Sequence, residues 1–154
     1  MNQTCLSNAA PTVKQRIRVV ALALIKNKNK TCILVEAGYD TLKQEAFYRA
    51  LGGGVDFGET SQEALQREFQ EEIQAELTQI RYLGCIENLF VFNGKPGHEL
   101  IQLYECELVD PRLYEIASII GQENGTPHTA HWIEIERFKS GELRLAPEAC
   151  LAYL

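Results

Sequence analysis

The stretch GGVDFGETSQEALQREFQEEIQA, residues 53–75, opens as a glycine-rich loop and closes as a helix. Thr60 with Glu63 three residues on is a capping-box pattern, which sets the helix start at Ser61. Neither glycine nor proline interrupts the chain from there to about Leu77, so a helix is expected over that span. Leu65, Phe69 and Ile73 fall on one stripe of that helix and must face a core. On the same wheel Glu72 stands about 20° from Leu65, Glu68 about 60° and Glu71 about 120°. Glu72 is therefore expected against the apolar stripe, not in solvent.

The charge of the chain is concentrated in the same place. Its formal net charge is −6, and Glu59 to Glu76 contain six glutamates and a single base, Arg67. A solvated, salt-bridged face accounts for Glu63, Arg67 and Glu71, which follow each other at i,i+4 spacing. Glu68 and Glu72 are also i,i+4 to each other, with no basic residue expected in reach on their side. Such a pair costs about 0.2–0.5 kcal/mol when exposed, and on the order of several kcal/mol per ion at a core edge. A hard divalent cation, Mg²⁺ above all, is what a carboxylate cluster of this kind suits.

Around this segment the pattern is one of strands. Ile17 to Ile25 (IRVVALALI) is apolar at almost every position, as in a strand covered on both faces. Thr31 to Glu36 is expected to pair back on it as a hairpin, and Phe47 to Leu51 to run as a short strand into Gly52-Gly53-Gly54. Ile80 to Phe92 and Glu99 to Leu108 read as long strands separated by an Asn93–Gly97 loop. Asn124-Gly125 signals a tight hairpin joining Ile116–Gln122 to Thr126–Ile135. Pro147 is placed for the first turn of a terminal helix reaching Tyr153. Together these elements imply an α/β sandwich around a mixed sheet, with residues 1–15 a loose arm and 16–154 a single domain.

The 53–75 stretch resembles the Nudix box, Gx₅Ex₇REUxEExGU with U a bulky aliphatic residue. Gly53 opens it, Glu59 follows, then Arg67-Glu68, Phe69, Glu71-Glu72 and Ala75. Gln74 replaces the late glycine, Ala75 is smaller than the usual final residue, and Leu51 stands where many members have proline. The helix is accordingly expected to run on past Gln74. The resemblance implies a Nudix-type α/β/α sandwich and a diphosphate hydrolase that uses Mg²⁺, with Mn²⁺ as a substitute. It implies that Glu68, Glu71 and Glu72 bind the metal with the Gly53 carbonyl, and that Arg67 and Glu59 form an ion pair orienting the glutamates. Glu68 is the first choice of general base, and Glu123, beside the Asn124-Gly125 turn, is the candidate from outside the box. Gly52 and Gly53 are expected to let backbone approach a diphosphate, and Arg49 to reach a phosphate.

The implied substrate is a small-molecule diphosphate. Residues 88–93 (NLFVFN) offer neither the proline of ADP-ribose types nor the tyrosine of dinucleoside-polyphosphate types, which leaves a nucleoside diphosphate linked to another group. Phe90, Phe92, Tyr104 and Trp132 are read as core residues first and base-stacking residues second. The alternative is a catalytically silent ligand-binding or regulatory module of the same fold. Acidic charge argues against nucleic acid, no apolar run reaches membrane-span length, and no signal-peptide pattern opens the chain, so a cytoplasmic location is expected. Five widely spaced cysteines without a CxxC pair suggest buried thiols at Cys32, Cys85 and Cys106. A homodimer is compatible with the sequence but not readable from it.

Overall fold

The computed structural model describes Gln15–Leu154, apart from the side chain of Glu123. The arm expected at 1–15 therefore lies, except for Gln15, outside the described residues. Seven strands form one sheet: β1 (Arg18–Ile25), β2 (Cys32–Asp40), β3 (Glu45–Gly54), β4 (Leu77–Phe92), β5 (Lys95–Leu108), β6 (Ser118–Glu123) and β7 (Thr126–Glu134). Their spatial order is β4-β5-β1-β3-β2-β7-β6. The sheet is mixed, because β1 runs parallel to β5 while the other pairings are antiparallel. Helix α1 (Ser61–Ile73) packs on one face, and α2 (Ile135–Lys139) with a terminal 3₁₀ segment (Glu148–Tyr153) on the other.

Strand alternation in β1 divides the core. Ala21, Ala23 and Ile25 join Leu65, Phe69 and Ile73 of α1, while Val20, Leu22 and Leu24 join Phe138, Leu145 and Cys150. Leu65 and Phe69 are fully buried, each contributing about 1.5–3 kcal/mol by area. Strand β3 changes neighbour along its length: Leu51–Gly54 pair with β1, and Glu45–Ala50 with β2.

Several expectations are corrected. β2 does not form a hairpin with β1; a Lys26–Ile33 bridge and an Asn27 N–H to Cys32 carbonyl bond close the turn just beyond β1, and β3 takes the place between the two strands. The Asn93–Gly97 loop shrinks to Asn93 (φ 48°) and Gly94 (φ 74°), the positive-φ pair of a two-residue turn. Pro96 and Gly97 belong to β5, where pairing with β1 has not yet begun and a missing N–H is tolerated. The terminal helix is 3₁₀, with Pro147 as its N-cap, and α2 and a 3₁₀ turn at Pro111–Tyr114 were not foreseen. Cys85 is exposed and Cys32 partly so, whereas Cys106 is buried. The Asn124-Gly125 hairpin stands as read.

Candidate active site

The capping box forms: the Thr60 hydroxyl accepts from the Glu63 N–H, and a Glu63 carboxylate oxygen accepts from the Thr60 N–H. Those bonds hold the Glu63 carboxyl below its ordinary range. Glu63 is thereby committed to the cap and is not the Arg67 partner that spacing suggested. Arg67 turns instead to Glu59, donating from Nη2 to Oε1 at 2.6 Å and from Nε to Oε2 at 3.2 Å. This two-point pair lowers the Glu59 carboxyl and raises the Arg67 guanidinium, so both stay charged at neutral pH.

The same guanidinium reaches three further groups. Nη2 donates to the Gly54 carbonyl at 3.0 Å, and Nη1 to Glu68 Oε1 at 2.9 Å and Glu71 Oε2 at 3.2 Å. The expectation that Glu68 has no base in reach is thus wrong. Residue 67 precedes it on the helix, but a long side chain curling back over the turn spans the gap. Asp56 lies 3.7 Å from Nη2 and was not foreseen.

Glu68 lies over the glycine strand. A Cβ on Gly53 would stand 2.2 Å from its Cδ and 2.4 Å from each carboxylate oxygen. Only glycine leaves room for that carboxylate beside the β3 backbone. Gly52 is required for a different reason, since its φ is 134° and a Cβ would meet the Ala21 carbonyl oxygen at 2.0 Å. Glu72 is 7% exposed, against the apolar stripe as expected. Its backbone meets β6, where a Cβ on Gly121 would stand 1.8 Å from the Glu72 carbonyl oxygen. Arg67, Glu59, Glu68, Glu71, Gly53 and Gly54 are therefore brought together, with Glu72 one turn along. Arg49 is not among them; it pairs with Glu99. Glu123 ends β6, its side chain outside the described residues. Among the described residues no three acidic, histidine or cysteine side chains converge as a complete metal cage.

The helix ends at Ile73. Gln74 caps it in the left-handed region (φ 51°, ψ 40°), its N–H bonded to the Phe69 carbonyl. The continuation toward Leu77 is corrected, because Gln74 adopts the left-handed backbone shape that ends a helix. A left-handed non-glycine residue is strained by roughly 1–2 kcal/mol, part of which glycine returns through its larger unfolded entropy. Gln74→Gly is therefore expected to stabilise the fold by up to about 1 kcal/mol. Denaturant unfolding checks this, and a loss of stability would contradict the cap geometry.

The family model of the NUDIX domain matches residues 15–149. The chain belongs to the NUDIX domain family. That membership supports a hydrolase. No curated protein matches the chain. Among solved structures, a NUDIX hydrolase from Nitrosomonas europaea is 16% identical with a TM-score of 0.61, over 86% of this chain and 82% of that one. A MutT NUDIX hydrolase from Burkholderia pseudomallei is 20% identical with a TM-score of 0.55, over 79% of this chain and 86% of that one. A UDP-X diphosphatase is 18% identical with a TM-score of 0.56, over 90% of this chain and 60% of that one. These likenesses concern the NUDIX fold. No helix among the described residues is long and apolar enough to cross a membrane.

Of the four aromatics singled out in the sequence, Tyr104 and Trp132 are structural: Tyr104 is buried and bonds Ser61, and Trp132 stacks on Tyr114. Phe90 and Phe92 line a cavity together with Arg49. Glu99 and Arg18 at that cavity were missed. The signal was present, because Glu99 alternates in phase with Ile101 and Leu103 and so places an acid at a core-facing position.

Proposed function

We propose that this NUDIX protein is a Mg²⁺-dependent hydrolase cleaving the diphosphate bond of a nucleoside diphosphate linked to a second group, by attack of water on phosphorus. The observation that carries the reading is the Glu68 carboxylate laid over Gly53, with Arg67 gripping Glu59, Glu68 and Glu71 at once. Glu68, Glu71, Glu72 and the Gly53 carbonyl would hold the cation. The residues fit it in kind: every donor is an oxygen, as Mg²⁺ prefers, and the missing Cβ of Gly53 is what lets the Glu68 carboxylate lie against that backbone. When bound, the cation supplies positive charge against the diphosphate and activation of the attacking water.

The remaining work falls to the chain. Arg67, anchored by Glu59, offsets the mutual repulsion of Glu68 and Glu71 and fixes where their carboxylates point. Glu68 takes the proton of the attacking water, with Glu123 the alternative base. Gly52 and Gly53 keep side chains out of the path of the diphosphate. Arg49 binds the part of the substrate that lies away from the cleaved bond. One solved relative is itself a UDP-X diphosphatase, which supports the substrate class without fixing the group X.

A screen of diphosphate compounds with Mg²⁺ or Mn²⁺, read as phosphate release after an added phosphatase, tests the reading. Thermal melts in EDTA and in Mg²⁺ accompany it. Metal at a hundred times its Kd is expected to add about 2.7 kcal/mol to stability. Coincident melts together with a silent screen would replace the enzyme by a ligand-binding module.

A further inference from the structure

Arg18 alternates in phase with Val20 and Leu22, and Glu99 with Ile101 and Leu103, so both project from the sheet face away from α1. There they border a cavity of about 570 Å³. Glu99 is 1% exposed, a carboxylate buried as deeply as the core leucines. Arg49 donates from Nη2 to its Oε2 at 3.0 Å, and Arg18 Nη1 stands 3.7 Å from its Oε1. Arg49 Nε is buried and makes no hydrogen bond, so this guanidinium has donor capacity that the protein does not use. A buried donor left in that state costs about 1–3 kcal/mol unless something accepts from it.

The cavity walls are aromatic. Phe47 lies over Gly38, its cross-strand neighbour, where a Cβ would stand 2.3 Å from the ring. Phe90 lies over Gly97 in the same way, also at 2.3 Å. Phe92 meets Phe47 edge to face at 5.8 Å. The two glycines let these rings lie close to the strands, which widens the cavity and offers ring surface to it. Four basic and three acidic residues line the space, so it is close to neutral. Glu99 already offsets one of the two arginine charges, which leaves the pair a weaker match to a doubly charged phosphate than two free guanidiniums would be. A flat, uncharged ring with acceptors on its edge suits guanidinium donors between aromatic walls.

We propose that this cavity holds the nucleobase of the substrate, with Arg49 the specificity-determining residue that donates to an acceptor edge of the base. Glu99 is a positioning residue that fixes the guanidinium. The assignment rests on the reading of the chain as acting on nucleoside diphosphate derivatives. Keto bases present acceptors where amino bases present N–H₂ groups, so guanine and uracil are favoured over adenine and cytosine.

Calorimetric titration of the full chain in EDTA with GMP, UMP, AMP and CMP tests this without requiring turnover. Ribose 5-phosphate and inorganic phosphate serve as probes lacking a base. The keto nucleotides are expected to bind at least tenfold more tightly than the amino ones, and Arg49→Met to erase that preference. Glu99→Gln should weaken the keto nucleotides several-fold and Glu99→Asp restore part of the loss. With an active substrate, Glu99→Gln should raise KM more than it lowers kcat. If Glu99→Gln melts below the assay temperature, Phe90→Ala takes its place and should weaken all four nucleotides. Three results overturn the proposal: no nucleotide binding, a base preference untouched by Arg49→Met, or an equal loss of ribose 5-phosphate binding in that variant, which would make Arg49 a phosphate contact. A chain that binds keto nucleotides through Arg49 yet hydrolyses nothing would sink the hydrolase reading alone.

Discussion

Gly53→Ala is expected to leave a folded protein whose kcat is lower by about 10²–10³-fold, the usual loss when one electrostatic element of an active site is displaced. The added Cβ would stand 2.2 Å from Glu68 Cδ, inside any permitted contact. What it strikes is the far end of a side chain, so the clash is relieved by pushing the carboxylate aside. Gly53 is not among the positive-φ residues, so no left-handed backbone opposes alanine there. Gly52→Ala is the contrasting case, because its Cβ would strike the Ala21 carbonyl at 2.0 Å from a φ of 134°. That variant should lose stability, since the obstacle is backbone at the β1–β3 pairing. Melting temperature and turnover, measured on both variants with a substrate found by the screen, separate the two effects. Wild-type turnover in Gly53→Ala would mean that the position of Glu68 over the glycine is irrelevant to the chemistry.

The contrast shows why some of this site was legible in the sequence and some was not. Helical periodicity is a local property, so the buried Glu72, the apolar stripe of Leu65, Phe69 and Ile73, and the Thr60–Glu63 cap could all be read from spacing. Arg67 could not be read in full. Spacing offered Glu63 and Glu71 as its partners, but the cap had already taken Glu63, and Glu59 and the Gly54 carbonyl come from the loop and strand before the helix. Sheet order was hidden for a similar reason. β1 and β2 are joined by a short turn that reads as a hairpin, yet β3 exchanges one neighbour for the other at Ala50 and Leu51. Gln74 misled because its side chain favours helix, while the fold required a left-handed stop at that position. The Glu99–Arg49 pair joins strands fifty residues apart, and no local pattern couples them.

Glu72→Gln separates enzyme from binding module. The change is nearly isosteric, and it replaces a charge on a side chain only 7% exposed with a neutral amide, which lowers the cost of burial. Folding should survive, and the melting temperature in EDTA should hold or rise as the repulsion toward Glu68 disappears. Activity should nevertheless fall by about 10²–10³-fold, because an amide is a poor ligand for a hard cation and the diphosphate charge is left uncompensated. Glu68→Gln should be comparably damaging on either proposed role, as base or as ligand. Glu63→Gln should be close to neutral on both readouts, since glutamine serves the capping box as glutamate does. Each of the three variants exchanges one carboxylate oxygen for an amide nitrogen on the same helix, so composition and helix propensity are held nearly constant and only position varies. Turnover at saturating Mg²⁺, set beside the Mg²⁺-dependent shift in melting temperature, reads chemistry and metal binding separately. If Glu72→Gln turns over at the wild-type rate, the acidic run is a relic in this chain and the ligand-binding module takes the place of the hydrolase.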